Sequence, residues 1–367
     1  MQTVALNLVP RGVFHLGERG VGAEETTELA HADTLFSALC WSWRLLYGER
    51  SLTQELLPPF RNSSPPFLLS SALPYAGPIR FWPRPAWLPW EMTDEERRRL
   101  KRVHYVSTDI FRHLVMGQRP PGDPKLIQDS QLWLSSDELN QLLPTGLDRR
   151  RLTTFMRQKA AVRDYRKPEP TEYAPPAIRL WEVAEAPHVV LDRITSASEI
   201  FHVGDVRFSG GCGPFVVVRF LADDDIWRSR LLSAFRVMGD EGLGGKRSIG
   251  RGQFDLEVED VVIPEGDGDR AVLLSLLNPR PDETAHLLPD QPWVAYSLIA
   301  RRGWVYSDQA RNLWRKRVTM LAEGSVVVRP ADGRPPGRLV PVLKKDAKIP
   351  HDVYRYGYGF LVPMKGA

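Results

Sequence analysis

The chain concentrates glycine and basic residues in one stretch, GLGGKRSIGRG at positions 242–252. Five of its eleven residues are glycine and three are basic. Glycine adopts positive φ angles and lets a backbone pass close to another molecule. Exposed N–H groups in such a loop, next to Lys and Arg side chains, suit a phosphate chain. The composition therefore favours a polyanion-binding loop over a flexible surface hairpin, because a plain turn needs only one or two glycines.

The segments beside this loop exclude two better-known glycine motifs. Apolar residues at 227, 231, 235 and 238 predict a helix over residues 224–238, and alternation predicts a strand over residues 254–261. A dinucleotide-binding fingerprint has the opposite order, with the strand before the glycines and the helix after them. A Walker loop would need Gly at the position of Asp240 and Ser or Thr at the position of Arg247.

Length and composition indicate a globular protein. The 367 residues have room for two domains, and 43% of them are hydrophobic. The net charge is +4, and the pI of about 9.0 weakly favours a nucleic-acid partner. Cys40 and Cys212 stand far apart, so we expect no disulfide framework, zinc site or other cofactor. We also expect no signal peptide and no membrane span, and therefore a cytoplasmic location.

A strand and a helix are predicted near the N-terminus. Residues 4–8 alternate as in a strand that Pro10 ends. The helix covers residues 34–47, with Gly48 just beyond it and Asp33 as its N-cap. Its predicted buried face consists of Leu35, Leu39, Trp43 and Leu46.

Asp33 has a second interpretation. Its carboxylate, close in sequence to His15 and His31, could belong to a metal-dependent or acid–base nuclease site. Helix caps are far commoner than catalytic aspartates, so capping is favoured. The free amides at this helix start could equally hold a phosphate.

A dense basic stretch lies at residues 148–167, with eight basic residues against two acidic ones. Phe155 and Tyr165 are interleaved with the cations, as in a segment that contacts phosphates and stacks bases. A solvated polar face is the alternative. A long two-stranded projection would fit so polar a segment.

From residue 189 onward the pattern is that of β-structure. Residues 189–194 and 201–208 predict strands, and a glycine-rich turn at 209–214 joins the second to a strand at 215–220. With the first strand and helix, the order is βα, a long insertion, then ββαβ. This order predicts a ferredoxin-like (RRM-like) α+β domain over residues 1–263, with its insertion at about residues 50–195.

Residues 264–367 contain a second set of β-like stretches, at residues 272–277, 293–299, 318–328, 339–343 and 353–363. Pro341 would confine the fourth of these to a sheet edge. The set predicts a second, smaller ferredoxin-like domain, either complete or incomplete, and thus a tandem architecture.

Four motifs resemble a known family. The sequence GLGGKRSIGRGQF after a helix resembles the signature loop of the RAMP superfamily of CRISPR proteins. Three further stretches resemble the fourth subunit of the type III-A (Csm) effector complex, namely FHLGERGVGAEETTELAHADTLFSALC (14–40), LDRITSASEIFHVGDVRF (191–208) and VYRYGYGFLVPM (353–364). The resemblance therefore covers nearly the whole chain.

The resemblance implies a non-catalytic architectural subunit. Such a subunit grips the repeat-derived 5′ handle of the crRNA, docks against the large polymerase/cyclase-like subunit and starts the filament of backbone RAMP subunits. A β-hairpin thumb, mapped here to residues 149–195, would press between crRNA and target RNA.

The RNA-binding residues that the resemblance and the basic pattern predict fall into three groups. The loop group is Gly242, Leu243, Gly244, Gly245, Lys246, Arg247, Ser248 and Arg251. The helix-start group is Asp33, Thr34 and Ser37, and the thumb group is Lys159, Arg163 and Arg193.

Two rival functions remain open at this point. One is a metal-independent endoribonuclease of the same fold that processes CRISPR repeat RNA through His15 or His31 as general acid or base. The other is an interaction scaffold that makes no RNA contact.

Overall fold

The computed structural model describes residues 2–17, 27–142, 178–191, 198–222, 224–305, 313–346 and 349–366. Its α-helices are α1 (Ala32–Ser51), α2 (Leu57–Arg61), α3 (Asp94–Leu100), α4 (Thr108–Val115), α5 (Ser136–Leu142), α6 (Asp225–Glu241) and α7 (Thr284–Leu287). A short π-helix, Leu52–Leu56, links α1 to α2. None of the helices in these ranges is both long enough and apolar enough to cross a membrane.

The strands in the first two thirds of the chain are β1 (Thr3–Pro10), β2 (Phe67–Leu69), β3 (Leu73–Ala76), β4 (Ile79–Pro83), β5 (Tyr105–Ser107), β6 (Lys125–Ile127), β7 (Leu132–Leu134), β8 (Trp181–Leu191), β9 (Ser198–Phe208), β10 (Cys212–Phe220) and β11 (Phe254–Asp260). Those in the last third are β12 (Arg270–Leu273), β13 (Leu298–Arg301), β14 (Val318–Leu321), β15 (Val326–Val328), β16 (Gly337–Leu343), β17 (Val353–Tyr358) and β18 (Leu361–Met364).

One large sheet organises the N-terminal two thirds. Its strand order is β11-β1-β10-β3-β4-β5-β7-β6, and β2 also pairs with β10. The predicted first strand is confirmed as β1, which lies antiparallel between β10 and β11. Residues 4–8 of this strand are buried, as expected for a central strand that is covered on both faces.

Two long helices pack beside this sheet. The predicted helix over residues 224–238 is confirmed as α6, whose N-cap Asp224 accepts a hydrogen bond from the amide of Ile226 at 2.8 Å. The indoles of Trp43 in α1 and Trp227 in α6 stack with their centroids 5.8 Å apart. Gly239 lets α6 approach β11 closely, because a Cβ there would collide with the carbonyl oxygen of Phe254.

Helix α1 is longer than the sequence predicted. It kinks at Gly48, where φ is 83°, and continues to Ser51. Leu35, Leu39 and Trp43 are buried as predicted, whereas Leu46 is 42% exposed, so its assignment to the buried face is wrong.

The mixed α+β architecture is confirmed, but the predicted strand neighbours are partly wrong. Residues 201–208 were expected to form a hairpin with the strand that follows them. They lie in β9, which pairs with β8 in a separate two-stranded sheet. The place beside β10 is taken by β2 and β3, from within the predicted insertion. Alternation predicts a strand but does not specify its partner, which explains the error.

The β8–β9 hairpin is a regular two-stranded ribbon whose register runs from Trp181 opposite Phe208 to Leu191 opposite Ser198. Its base is tied to the chain after β1, because Phe14 and Val206 exchange two backbone hydrogen bonds of 2.9 and 2.8 Å. Most of the predicted thumb (residues 149–195) and all of the basic stretch 148–167 lie outside the described residues.

The C-terminal third forms three small sheets instead of a second complete ferredoxin-like sheet. They consist of β15-β12-β18, β13-β14 and β16-β17. Within the described part of residues 264–366, the four-residue α7 is the only α-helix, whereas a complete ferredoxin-like domain has two. The edge position predicted for Pro341 is confirmed, since among the described residues β16 and β17 form a two-stranded sheet.

The C-terminal third shares its core with the rest of the molecule. The ring of Tyr356 in β17 stacks on Phe36 of α1 with centroids 5.0 Å apart. The hydroxyl of Tyr356 accepts a hydrogen bond from the amide of Leu69 in β2 at 3.1 Å. Strand β17 is therefore fixed against the first turns of α1, which brings C-terminal side chains to the start of this helix.

Candidate functional site

Helix α1 begins with an ion-pair cluster instead of the predicted aspartate cap. The cap position is occupied by His31, and Asp33 lies one residue inside the helix, so the predicted role of Asp33 as N-cap is wrong. The Asp33 carboxylate is fully buried. It accepts hydrogen bonds from the guanidinium group of Arg301, at 3.1 and 3.2 Å, and from that of Arg355.

The charges of this cluster determine the ionisation of Asp33. Burial alone would raise the pKa of this carboxyl, but the neighbouring charges of Arg301 and Arg355 outweigh burial and hold its pKa well below the usual value. Asp33 is therefore a buried anion that fixes two arginines. Its side chain has no exposed surface, so it contributes to a ligand site through those arginines.

The amides of this helix start are largely occupied. The N–H of Ala32 donates to the hydroxyl of Ser71 at 2.9 Å, and the N–H groups of Thr34 and Leu35 donate to the carbonyl of His31. The alternative of a phosphate held by free amides is therefore wrong for these three groups. The side chains of Thr34 and Ser37 line the neighbouring cleft.

The glycine-rich loop is fitted closely against the segment that follows β1. Gly244 and Gly252 have φ angles of 100° and 77°. A Cβ on Gly244 would collide with the carbonyl oxygen of His15, and one on Gly252 with that of Leu243. Both positions therefore require glycine. The sequence predicted that the glycines allow a close approach to another molecule, whereas here the approaching atoms belong to the same chain.

Most N–H groups of the loop are satisfied internally. The donors with backbone acceptors are the amides of Gly242, Leu243, Gly245, Ile249, Gly250, Arg251 and Gly252. Two of the acceptors, the carbonyls of Val13 and His15, belong to the segment after β1. The prediction of an amide cradle for phosphate is therefore wrong for these seven groups, and side chains must supply most of the affinity for an anion.

The basic side chains of the loop have different environments. The guanidinium of Arg251 forms a 2.7 Å ion pair with the buried Asp205 in β9, which ties the loop to the β8–β9 hairpin. Arg247 lies over the ring of Trp41 in α1, with its Cζ 5.8 Å from the centroid. Lys246 is half-buried in a left-handed conformation (φ 56°), and Ser248 is exposed.

One cleft of about 240 Å³ brings these elements together. Its walls are the loop from Gly242 to Gly245, the first turns of α1 and the C-terminal third. Five arginines line it, namely Arg247, Arg301, Arg302, Arg315 and Arg355. We call this space the arginine cleft.

Arg315 is the cleft arginine with the most unusual environment. Burial, with a smaller contribution from the charge of Arg355, lowers the pKa of Arg315 to about 10. One guanidinium nitrogen donates to the hydroxyl of Ser37 at 3.3 Å. Its buried Nε has no hydrogen-bond acceptor among the residues that the structure describes. A cation in this situation gains from an added anion more than an exposed, hydrated one does.

The two histidines of the rival nuclease hypothesis differ in accessibility. His15 is 3% exposed, and its Nδ1 lies 2.8 Å from the carbonyl oxygen of Gly204. It packs against Gly244 and Gly245 of the loop and is therefore a structural residue. His31 lines the arginine cleft, and its Nδ1 lies 2.8 Å from a carboxylate oxygen of Glu323. Burial opposes the ionisation of Glu323, but His31 and Ser71 outweigh it and lower its pKa.

The sequence prediction found part of this site. The cleft is lined by Thr34, Ser37 and part of the predicted loop group, namely Gly242, Leu243, Gly244, Gly245 and Arg247. Lys246, Ser248 and Arg251 of that group do not line it. Lys159, Arg163 and Arg193 lie outside the described residues. The cleft residues that the prediction missed are Arg301, Arg302, Arg315 and Arg355. For Arg301, Arg302 and Arg315 a usable signal was present, because basic residues lie next to a tryptophan in RRGW (301–304) and WRKR (314–317).

Fold and site together define a mixed α+β protein with a cationic cleft beside a glycine-rich loop. Residues 266–364 match the family model described as the CRISPR Csm4 C-terminal domain. The CRISPR system Cms protein Csm4 of Thermococcus onnurineus (strain NA1) is 24% identical over 97% of this chain and 95% of its own length. The protein of the same name from Methanocaldococcus jannaschii is 22% identical over 99% and 98%.

Solved structures agree with these relatives. A crystal structure of a Csm3-Csm4 subcomplex in the type III-A CRISPR-Cas interference complex covers 100% of both chains with a TM-score of 0.63 and 16% identity. A Csm1-Csm4 cassette in complex with cA4 covers 100% of this chain and 99% of the other, with a TM-score of 0.59 and 20% identity. The resemblance to the fourth subunit of the type III-A complex is thereby confirmed.

Proposed function

We propose that the chain is a non-catalytic, crRNA-binding architectural subunit of a type III-A CRISPR interference complex. It grips the 5′ handle of the crRNA and docks the large polymerase/cyclase-like subunit. The observation that carries this proposal is the convergence of five arginines and the glycine-rich loop on one cleft.

The charge balance of the cleft favours a polyanion. Asp33 compensates part of the charge of Arg301 and Arg355, and Glu323 is paired with His31. For Arg302 and Arg315 the described residues offer no carboxylate within salt-bridge distance. Excess positive charge in a partly buried cleft attracts phosphate groups strongly, because the low local dielectric weakens screening.

A backbone grip of this kind positions an RNA without selecting its sequence. Guanidinium groups match phosphate geometry, and the hydroxyls of Thr34 and Ser37 offer further hydrogen bonds. Recognition of a defined handle additionally requires bases that leave the stack and enter protein pockets.

The partner proposals rest on the similarity to the solved relatives. One relative is paired with Csm3 and another with Csm1, and both cover this chain completely. We propose that this chain likewise joins a backbone RAMP subunit to the large subunit. Target RNA would pass near the thumb, which we map to residues 149–195, a range that includes β8.

The first test measures RNA binding by an Arg315→Gln variant. The variant keeps a polar side chain but removes the charge beside Ser37. We expect weaker binding to a handle-bearing crRNA and a plot of log affinity against log salt that is flatter by about 0.7, the value for one phosphate contact on a single strand. Fluorescence anisotropy over a salt series measures both quantities.

Arg334→Gln is the matched control, because the Arg334 side chain is 78% exposed and lies outside the cleft. Equal affinities and equal salt slopes for the two variants would contradict an RNA site in the arginine cleft.

A second test concerns assembly. A Lys246→Ala/Arg247→Ala/Arg251→Ala variant is co-purified with the other subunits, and its crRNA content is measured. We expect loss of handle-bearing crRNA from a chain that remains folded. Unchanged crRNA content would restrict the loop to a role in the fold and leave the RNA contacts to the C-terminal arginines.

One observation favours a second candidate function. The His31–Glu323 pair lines the cleft, and a carboxylate that orients an imidazole is a common arrangement in general acid–base catalysis. If the chain were a repeat-processing endoribonuclease, purified protein would cleave repeat RNA, and His31→Ala would abolish cleavage. The architectural proposal predicts no cleavage by either protein.

A further inference from the structure

Two tryptophans form an exposed aromatic pair, and one of them, Trp304, lines the arginine cleft. Trp304 and Trp314 face each other across an antiparallel bridge, with ring centroids 4.0 Å apart and planes inclined by 34°. Backbone bonds on the neighbouring rungs, from Val305 to Leu313 (2.8 Å) and from Arg315 to Gly303 (2.9 Å), fix their spacing. The backbone therefore sets the distance between the two rings.

The exposure of the pair is unusual for residues of this type. Trp304 is 40% and Trp314 is 37% exposed, although tryptophan is mostly buried in folded proteins. Tryptophan rings that remain accessible beside charged groups offer a flat stacking surface.

The surroundings of the pair are cationic. The guanidinium of Arg302 lies over the ring of Trp314, with its Cζ 4.7 Å from the centroid. Lys316 and Arg317, which follow Trp314 in sequence, are exposed. Trp304 itself lines the arginine cleft together with Arg302 and Arg315. Aromatic rings and cationic side chains therefore lie close together on this surface.

We propose that the Trp304–Trp314 pair, with Arg302, stacks one unstacked nucleobase of the RNA whose phosphates occupy the arginine cleft. The proposal rests on the proposed RNA-binding function. Indole rings stack on any base, and nearby guanidinium groups hold the adjoining phosphates, which is the usual combination in single-strand binding sites. The pair thereby supplies a base contact that the arginines cannot supply.

The experiment combines variants of the protein with modified RNAs. Handle-bearing RNAs of one length, each with a single abasic nucleotide, are bound to the full chain at one salt concentration. For the unaltered chain we expect one abasic position to weaken binding by about 5- to 150-fold, the range for loss of one stacked base. Trp304→Ala and Trp314→Ala should weaken binding of intact RNA to a similar extent and remove the effect of that abasic position.

Two further variants serve as controls. Trp304→Phe keeps a stacking surface and should retain most of the affinity. Tyr296→Ala removes an aromatic residue that is 48% exposed but does not line the cleft, and it should change nothing. The salt slope should be the same in all four variants, because no phosphate contact is removed.

The outcomes separate this proposal from the proposed function. If the unaltered chain binds RNA with a steep salt dependence but all abasic positions behave alike, the stacking proposal is overturned and RNA binding stands. That result needs no variant, so misfolding of Trp304→Ala does not affect it. If the unaltered chain shows no salt-dependent RNA binding, the proposed function fails. If Trp304→Ala binds RNA normally but loses a protein subunit in co-purification, the pair is a protein contact and the stacking proposal is overturned.

Discussion

The glycine-rich loop and the C-terminal arginines line the same cleft but contribute to it in different ways. The loop is fixed by its own backbone, through hydrogen bonds to the segment after β1 and glycines that admit no Cβ. Arg301 and Arg355 are fixed by their side chains, which form ion pairs with the buried carboxylate of Asp33. Asp33 lies in α1, far from both arginines in the sequence. In the proposed RNA site, the loop therefore provides shape, while most of the positive charge comes from the C-terminal arginines.

The largest loss of stability is expected on changing Asp33, the carboxylate that holds Arg301 and Arg355 in place. Asp33→Asn leaves Arg301 and Arg355 buried without their counter-charge, and breaking such a pair costs about 3–5 kcal/mol. Denaturant unfolding at neutral pH measures the loss. Asp332→Asn is the control, because its carboxylate is exposed and 3.7 Å from Arg334, and this change should stay within about 0.5 kcal/mol.

The same variant has a defined pH dependence. Because the pKa of Asp33 is lowered in the folded chain, its stabilisation is complete above the ordinary carboxyl pKa of about 3.9 and is lost as the pH falls toward the folded-state value. The difference in stability between the unaltered chain and Asp33→Asn should therefore be constant near neutral pH and shrink below about pH 4. A difference that grew on acidification would contradict this account of the cluster.

The next effect tests the loop's backbone. Gly252→Ala places a Cβ against the carbonyl of Leu243 at a φ of 77°, so conformational strain and collision add to about 2–4 kcal/mol. Gly211→Ala separates the two causes, because Gly211 has a similar φ of 75° but no atom within 4 Å of the added carbon. Thermal unfolding should show a clearly larger loss for Gly252→Ala, and equal losses would mean that the loop's close fit contributes nothing.

A smaller loss of stability is expected on removing Arg251, the loop side chain that pairs with Asp205 of β9. Arg251→Ala leaves the carboxylate of Asp205, which is 7% exposed, without its partner, at a cost of about 1–2 kcal/mol. Asp205→Asn in the same chain should recover part of this loss, as a double-mutant cycle would reveal. No coupling between the two positions would assign Arg251 to the ligand instead of the fold.

The smallest effects are expected on neutralising a single basic residue in either region and measuring the salt dependence of RNA binding. Lys246→Gln in the loop and Arg302→Gln in the C-terminal third should each flatten the salt dependence of RNA binding by about 0.7 and leave stability unchanged. If only the Lys246 change had this effect, the charge would come from the loop after all, and the contrast between the two regions would be lost.

The sequence predicted features that depend on neighbouring residues. The order of helix α6, glycine-rich loop and strand β11 is local, so periodicity and glycine content were sufficient. The sequence also predicted that the loop glycines allow a close approach, but at positions 244 and 252 the approaching atoms belong to the chain itself and not to another molecule.

The rest could not be predicted because it depends on contacts between distant residues. Arg301 and Arg355 meet Asp33 over sequence separations of 268 and 322 residues, which no local pattern encodes. For the same reason Asp33 resembled a helix cap, since its position before an apolar helix is typical of caps. The pairing of β10 with β2 and β3 likewise depends on register and burial that alternation alone does not specify.

The ion pair between Asp33 and Arg355 also has a consequence for the order of events during synthesis. Asp33 leaves the ribosome long before its partners, and its final burial requires β17, which carries Arg355. A nascent chain that has not reached this strand contains a carboxylate that must stay in water, so the first turns of α1 remain uncovered. The arginine cleft therefore cannot form before residue 355 has been translated, and chains that stop earlier lack the proposed RNA site.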